Sequence, residues 1–372
     1  MGLFDIFKKN KVEDLEVDLN KRNFTYLNHI IQNSKKEVIL DSNITLDNEE
    51  SPYFKDGIRI RGKQELIIDG NGHTIDASNK TTFFTIDKNN SVIHFKNIHF
   101  KNGYGATAGN FIMGVCIKTK KNVVVKFTDC IFENNCNLIS ISNEGYFSKC
   151  TFENNQSCFV SCNTVNLSDC IFRQNDIIIS IDGKFNIENS RFINNSNITR
   201  KPGLVDNSLI KSFDLEISNS IFENNGSFTV RSKNASFLNC CFKDNRSEKD
   251  GGAIYMEKGK CLIKECKFIR THSSSFGGAI FNCMNSTLKV YDSCFKDNRS
   301  EKAGGAIYND IKPRTSWETG TNSPSFGDGV LEFSNQGNTY SGNKHKKYEN
   351  GKPVDGEYEE NTVMDLSKNI VL

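Results

Sequence analysis

Aligned on Phe132, the chain places the same residue type at Phe152, Phe172 and Phe192, each step 20 residues long. The series continues at Phe222, Phe242, Phe268 and Phe295, and extends upstream to Phe100. Two residues before the Phe stands a small side chain: Cys130, Cys150, Cys170, Ser190, Ser220, Cys240, Cys266 or Ser293, with Ile98 in the first unit. Three residues after it stands Asn135, Asn155, Asn175, Asn195, Asn225, Asn245 or Asn298, with Gly103 and Thr271 as departures. Five and seven residues before it lie apolar pairs such as Val125 and Phe127, Leu215 and Ile217, or Leu288 and Val290. Between that pair and the small residue the alternation slips by one position. The slip falls on Asn97, Asp129, Asp169, Asn189, Asn219, Asn239 or Asp292. A strand of period two that changes parity at Asn or Asp has turned a corner, because these residues tolerate the left-handed conformation.

Each unit therefore predicts a strand, a corner, a short strand ending in a turn at Phe-x-x-Asn, and a third strand, as in the alternating Ile177, Ile179 and Ile181. Three short strands in 20–30 residues make one coil of a right-handed parallel β-helix. Nine regular units, with a less regular one on each side (LIIDGNGHTI and LEFSNQGNTYSGN), give an all-β fold of about eleven coils. At the usual strand spacing such a rod is roughly 50 Å long. Stacked coils would pile Phe on Phe inside the helix, where Phe→Ala costs about 3–5 kcal/mol, and Asn on Asn at the turn. Upstream, Phe24, Leu27, Ile30 and Ile31 recur at helical spacing and predict a short amphipathic helix across the first coil. The organisation expected is an N-terminal extension at 1–23, a β-helix with its cap helix at 24–343 interrupted by a long loop at 312–329, and a polar tail or cap at 344–372.

Composition refines this picture in three places. The 47 Lys and Arg nearly balance 45 Asp and Glu, and both signs are mixed along the chain, which gives no electrostatic argument for nucleic acid or an acidic polymer. The 13 cysteines form no Cys-x-x-Cys pair and have no His nearby at metal spacing, so neither a zinc site nor another cofactor is expected. Five of them, Cys130, Cys150, Cys170, Cys240 and Cys266, occupy the small slot beside the Phe, where a reduced thiol serves as a small hydrophobe. Finally, no apolar run reaches the roughly 18–20 residues a membrane span requires. The N-terminal MGLFDIFKKNK fits neither a secretory leader nor a myristoylation signal, and as written predicts a cytoplasmic protein. Its Leu3, Phe4, Ile6 and Phe7 beside three lysines leave open a peripheral membrane contact by 1–11.

The recurrent Phe-x-x-Asn, combined with GGAIY at 251–255, GGAIF at 277–281 and GGAIY at 304–308, is similar to the repeat of chlamydial polymorphic outer-membrane proteins. The lead-in helix followed by ELIIDGNGHTIDA and FKNIHFKNG resembles the adhesin-like β-helix proteins of methanogenic archaea. The resemblance covers about 24–343. It implies a pectin-lyase-like β-helix scaffold and a surface protein acting in adhesion, at the cell surface or outside the cell.

No catalytic, cofactor-binding or metal-binding residue is assigned from the sequence. A lyase on this scaffold needs converging acids and a base, and a hydrolase needs paired carboxylates across a groove. The acids at outward positions, such as Glu188 and Glu216, are isolated. Asp69 with His73 in DGNGHT sits in a Gly-punctuated turn, and His94, His99 and His272 have no partner at a recognisable spacing. Three readings remain open: a non-catalytic surface that binds a glycan or a protein, a polysaccharide-active lyase or hydrolase, and a self-associating structural rod. The near-identical CFKDNRSEKDGGAIY at 241–255 and CFKDNRSEKAGGAIY at 294–308 bears on them. The intervening copy, SSSFGGAI, keeps the glycines and drops the charges, so the stretch is expected to be a building block whose RSEK lies in a solvated loop.

Overall fold

Corner residues set the path of the chain. In the computed structural model, Asn97, Asp129, Asp169, Asn189, Asn219, Asn239 and Asp292 all adopt φ between 50° and 56°, as the parity slip requires. A second left-handed residue, not foreseen, follows two positions after each Phe: Asn102, Asn134 and Asn154 in the earlier coils, then Asn194, Asn224, Asp244 and Asp297. Two such reversals per coil turn three short strands into a closed circuit. The structure describes residues 12 and 15–371, apart from 88, 105–106, 109–110, 113–115, 121, 137, 161, 181–182, 196–209, 212–213, 227, 231–233, 284–285, 311–332, 350–351, 361–362 and 366–369. The 1–11 segment and the 312–329 loop singled out above lie outside the described residues.

The chain forms two units, Met1–Val165 and Asn166–Leu372. In the first, helix α1 (Phe24–Asn33) buries Phe24, Leu27 and Ile31 and packs on the strands Ile44–Thr45 and Ile58–Ile60. Asn23 caps it by accepting from the Tyr26 amide at 3.0 Å. The buried carboxylate of Glu50 accepts from the Phe24 and Thr25 amides, each at 2.9 Å, and from the Thr25 hydroxyl at 2.7 Å. Those amides have no partner within the helix, so Glu50 meets the demand of the helix start. Behind α1, parallel ladders stack in register: Ile68 on Phe95, Phe127 and Phe147 for the first strands, and Ile44 on Ile75, Phe100, Phe132 and Phe152 for the second.

The second unit repeats the same plan. Phe172, Phe192, Phe222, Phe242, Phe268, Phe295 and Tyr340 lie in one register. Their rings stack at 4.7–5.0 Å and within 17° of parallel. The chain is thus a parallel β-helix with a short N-terminal helix. Among the described residues, second strands number five in the first unit and seven in the second, one more than the eleven coils expected. The additional coil is the one with Ile44 in the Phe register, where an apolar residue other than Phe hid the repeat.

Polar side chains tie successive coils together. Asn195 shows the pattern in full. Its Nδ2 donates to Asn225 Oδ1 and to the Phe172 carbonyl, both at 3.0 Å, while its Oδ1 accepts from the Asn175 amide and Nδ2. Thr271 takes an Asn position and keeps the link by donating its hydroxyl to Asn298 Oδ1 at 2.7 Å. Gly103 takes another. There a Cβ would lie 2.5 Å from the Phe83 ring, so the side chain yields to a neighbouring aromatic while the Gly103 amide still donates to Asn135 Oδ1. The small slot has its own logic. Ser190 Oγ accepts from the Cys170 amide at 3.1 Å and donates to the Glu188 carbonyl at 2.8 Å, so the position asks for a short donor and acceptor as well as small volume. A thiol meets the same demand more weakly: Cys266 Sγ receives the Cys240 amide at 3.4 Å. None of the thirteen cysteines is joined in a disulfide, and ten are buried.

The last coils of the second unit end in antiparallel pairing. Lys344–Glu349 adds in parallel to the short strand Arg299–Ser300 and then turns back into Lys352–Glu360. Val363–Asp365 adds in parallel to Ile307–Asn309 and pairs antiparallel with Ile370–Val371. The tail expected at 344–372 is therefore, in its described residues, mostly strand.

Candidate binding surface

The residues on either side of each inward Phe point outward, because side chains alternate along a strand. In the second unit these positions form two registered rows. One runs Ile171, Arg191, Ile221, Cys241, Lys267, Cys294; the other runs Arg173, Ile193, Glu223, Lys243, Ile269, Lys296. Read coil by coil, each of these six strands presents one ionic and one apolar or thiol side chain, and the ionic one changes row along the face. The last strand, Thr339–Ser341, continues the rows with Thr and Ser. The aliphatic residues are not hidden, for Ile171 and Ile221 are 37% and 36% exposed. Lys243 is paired with Glu223. Arg191, Lys267 and Lys296 have no ion-pair partner among the described residues.

The corresponding face of the first unit is acidic by comparison and internally paired. Lys101, Glu133 and Glu153 share one row. Glu133 Oε2 lies 2.8 Å from His99 Nε2, and Glu133 Oε1 forms an ion pair with Lys101 at 3.4 Å. On the first-strand face, His94 Nε2 meets the Thr128 hydroxyl at 2.9 Å. Burial, then the charges of Lys96 and Lys126, hold this imidazole below its ordinary pKa. Asp69 is engaged in its own turn, with Oδ1 accepting from the Asn71 amide at 2.9 Å and from Asn97 Nδ2 at 3.1 Å. No hydrogen bond joins it to His73 among the described residues, so the suggestive DGNGHT pair is not brought together.

His272 departs from expectation. It lies in a short parallel ladder with Arg246, Arg299 and Lys344, which are the residues that open the RSEK stretch and the C-terminal hairpin. The charged stretch is therefore partly a strand, and the middle coil, expected to drop its charges, supplies an imidazole at the Arg position. His272 Nε2 lies 2.9 Å from Glu301 Oε1, and Arg299 Nη2 lies 3.1 Å from the same oxygen. The Tyr358 hydroxyl donates to Glu301 Oε2 at 2.9 Å while the Arg299 guanidinium lies 3.6 Å over its ring. Three groups converge on Glu301, and Tyr358 belongs to the hairpin, so the cluster is a clasp that fastens the last strands. The signal was present but faint: Glu301 follows His272 by one coil plus two residues.

The GGAI segments are structural. Gly251, Gly277 and Gly304 adopt φ of 66–69°, and a Cβ on Gly252 or Gly278 would run into the carbonyl oxygen of the equivalent glycine one coil on.

The fold and its repeats define the class: a parallel β-helix repeat protein, two of whose repeats are similar to a known family's. Residues 239–257 and 292–310 match the Chlamydia polymorphic membrane protein repeat. The chain is also 27% identical over 255 residues to the metabotropic glutamate receptor-like protein P of Dictyostelium discoideum. That match covers 68% of this chain and 17% of the relative's length. No solved structure matches it.

Proposed function

We propose that this chain is a non-catalytic, adhesin-like β-helix that presents the outward rows of its second unit as a contact surface for a glycan or a protein. The observation that carries this reading is the arrangement of those rows. The repeat dictates the inward Phe, Asn and small residues and leaves the flanking positions free, yet these alternate ionic and aliphatic side chains coil after coil. Such a mixture suits recognition, since apolar contact supplies affinity and charge supplies register and selectivity. The repeat matched here is that of membrane proteins, and the Dictyostelium relative is named as receptor-like. Both names support action at the cell surface, the alternative to the cytoplasmic expectation drawn from the N-terminal residues. Weighing in part against the self-associating rod are the antiparallel pairings on the last coils, which occupy the edges of two sheets and leave those at Phe333–Gln336 and Thr339–Ser341 without an added strand among the described residues.

The test is a broad glycan array together with surface-protein pull-down, using the full chain and a variant with Ile221, Lys267 and Lys296 all changed to Ser. A ligand captured by the parent and lost by the variant supports the reading. Capture unaffected by the variant, or turnover of a polysaccharide by the purified chain, overturns it.

A further inference from the structure

The folded chain separates charges that the sequence mixes. Over the whole chain bases and acids number 47 and 45, so a surface row free of structural constraint should carry both signs about equally. Yet of the six ionic side chains on the second-strand rows of the second unit, Arg173, Arg191, Lys243, Lys267 and Lys296 are basic and only Glu223 is acidic. The bias is densest over 258–302, where nine Lys and Arg face four Asp and Glu. The row cations are dispersed along the chain, at Arg173, Arg191, Lys243, Lys267 and Lys296, and come together only where the coils stack. Their convergence is visible at Cys241, whose thiol is pushed up by burial while Lys267 and Lys243, on either side, pull it back down.

Resting on the reading above, we propose that this face binds an acidic polysaccharide, a chain bearing carboxylate or sulfate groups, laid along the stacked second strands. Adjacent coils rise by about 4.8 Å, so the cations, shifting between two neighbouring rows and interrupted at Glu223, form a band along the stacked strands that the anions of a linear polymer can follow. The ammonium and guanidinium groups take the anions. Ile193, Ile221 and Ile269, between them, offer aliphatic surface to the C–H faces of the sugar rings. Duplex DNA fits less well, because a flat strand face gives no element to enter a groove, and the rows hold no aromatic ring on which single-stranded bases could stack. An anionic membrane fits less well too, since the isoleucines here are separated by ionic side chains and the rows hold no Trp, Phe or Leu to insert.

The experiment measures binding of the full chain to immobilised heparin, polygalacturonate and dextran, to single- and double-stranded DNA, and to phosphatidylserine vesicles, at increasing NaCl. K267E/K296E is compared with K55E/K118E, which makes the same charge change in the first unit, and circular dichroism checks the fold of both. The expected result is binding to heparin and polygalacturonate above dextran, weakening with salt. K267E/K296E should weaken it about tenfold and K55E/K118E less than about twofold. Equal loss in both variants, no loss in either, or DNA or vesicles bound as tightly as the acidic polysaccharides overturns the proposal. Binding of a protein or neutral glycan through this face, with acidic polymers ignored, overturns it and leaves the broader binding function standing. Failure to bind any ligand class overturns both.

Discussion

Replacing Asn195 by Ala removes one rung of the amide ladder while leaving the strands on either side unchanged in sequence. The side chain is fully buried, so water cannot take over its bonds. The Asn175 amide, Asn175 Nδ2 and the Phe172 carbonyl each lose a partner held at 2.9–3.0 Å, and Asn225 Oδ1 loses one of two donors. A buried polar group left unsatisfied costs about 1–3 kcal/mol. Three such groups, partly relieved by relaxation, make a loss of about 3–6 kcal/mol, a large share of the roughly 5–15 kcal/mol that holds a typical domain folded. Urea unfolding followed by circular dichroism reads the loss, and amide exchange at Asn175 localises it. Asn195→Asp sharpens the test. It keeps an acceptor toward Asn175 but sets a carboxylate against Asn225 Oδ1 and the Phe172 carbonyl. Its protonation restores a donor, so N195D should regain stability as pH falls toward the carboxylate range, whereas N195A should not. An N195A midpoint equal to wild type, with unchanged exchange at Asn175, would refute the ladder as a stabilising element.

Other consequences follow from single residues. Lys149 sits at a corner with φ 54° where most coils use Asn or Asp, so Lys149→Gly should stabilise by about 0.5–1 kcal/mol, read as a rise in thermal midpoint. Cys116, Cys158 and Cys261 are buried, which closes them to reagent and raises their thiol pKa, so in native protein iodoacetamide should reach the half-buried Cys136, Cys241 and Cys294 first, as peptide mass spectrometry would show. His94 has its folded pKa lowered, so the unfolded chain takes the proton first. The resulting contribution to stability is present above the ordinary imidazole value of about 6.5 and is lost as pH falls through it. His94→Gln should flatten that part of the stability-versus-pH curve.

Much of the interior was legible because the fold repeats a demand at fixed intervals. Phe132, Asn135 and Cys130 answer requirements that every coil imposes, and Asp129 marks a corner because few other residues accept its backbone angle. The turn after the Phe was foreseen but not the residue that makes it: at Asn134 and Asn154 the Asn-Asn context hid which residue turns and which bonds upward. The Cys and Ser slot was read as a matter of size; its hydrogen bonding emerged only once Ser190 was seen linking the Cys170 amide to its own strand. Contacts between elements of unlike kind left no period to find. The joining of His272 to Glu301 and Tyr358 depends on how the hairpin folds back, which the repeat does not specify. The cationic face was hidden for the opposite reason, its members being gathered in space yet dispersed in sequence.

The hairpin from Lys344 to Glu360 also bears on how such a chain can grow. Each coil receives from its predecessor the same edge it hands to its successor, with Phe and Asn in the same register. A block of whole coils inserted ahead of the hairpin, like the pair copied between Cys241 and Cys294, disturbs neither α1 nor the final strands. Coil number can then change by recombination in steps that never pass through an unfoldable intermediate. Each added block would lengthen the outward face while leaving the chemistry of both terminal segments untouched.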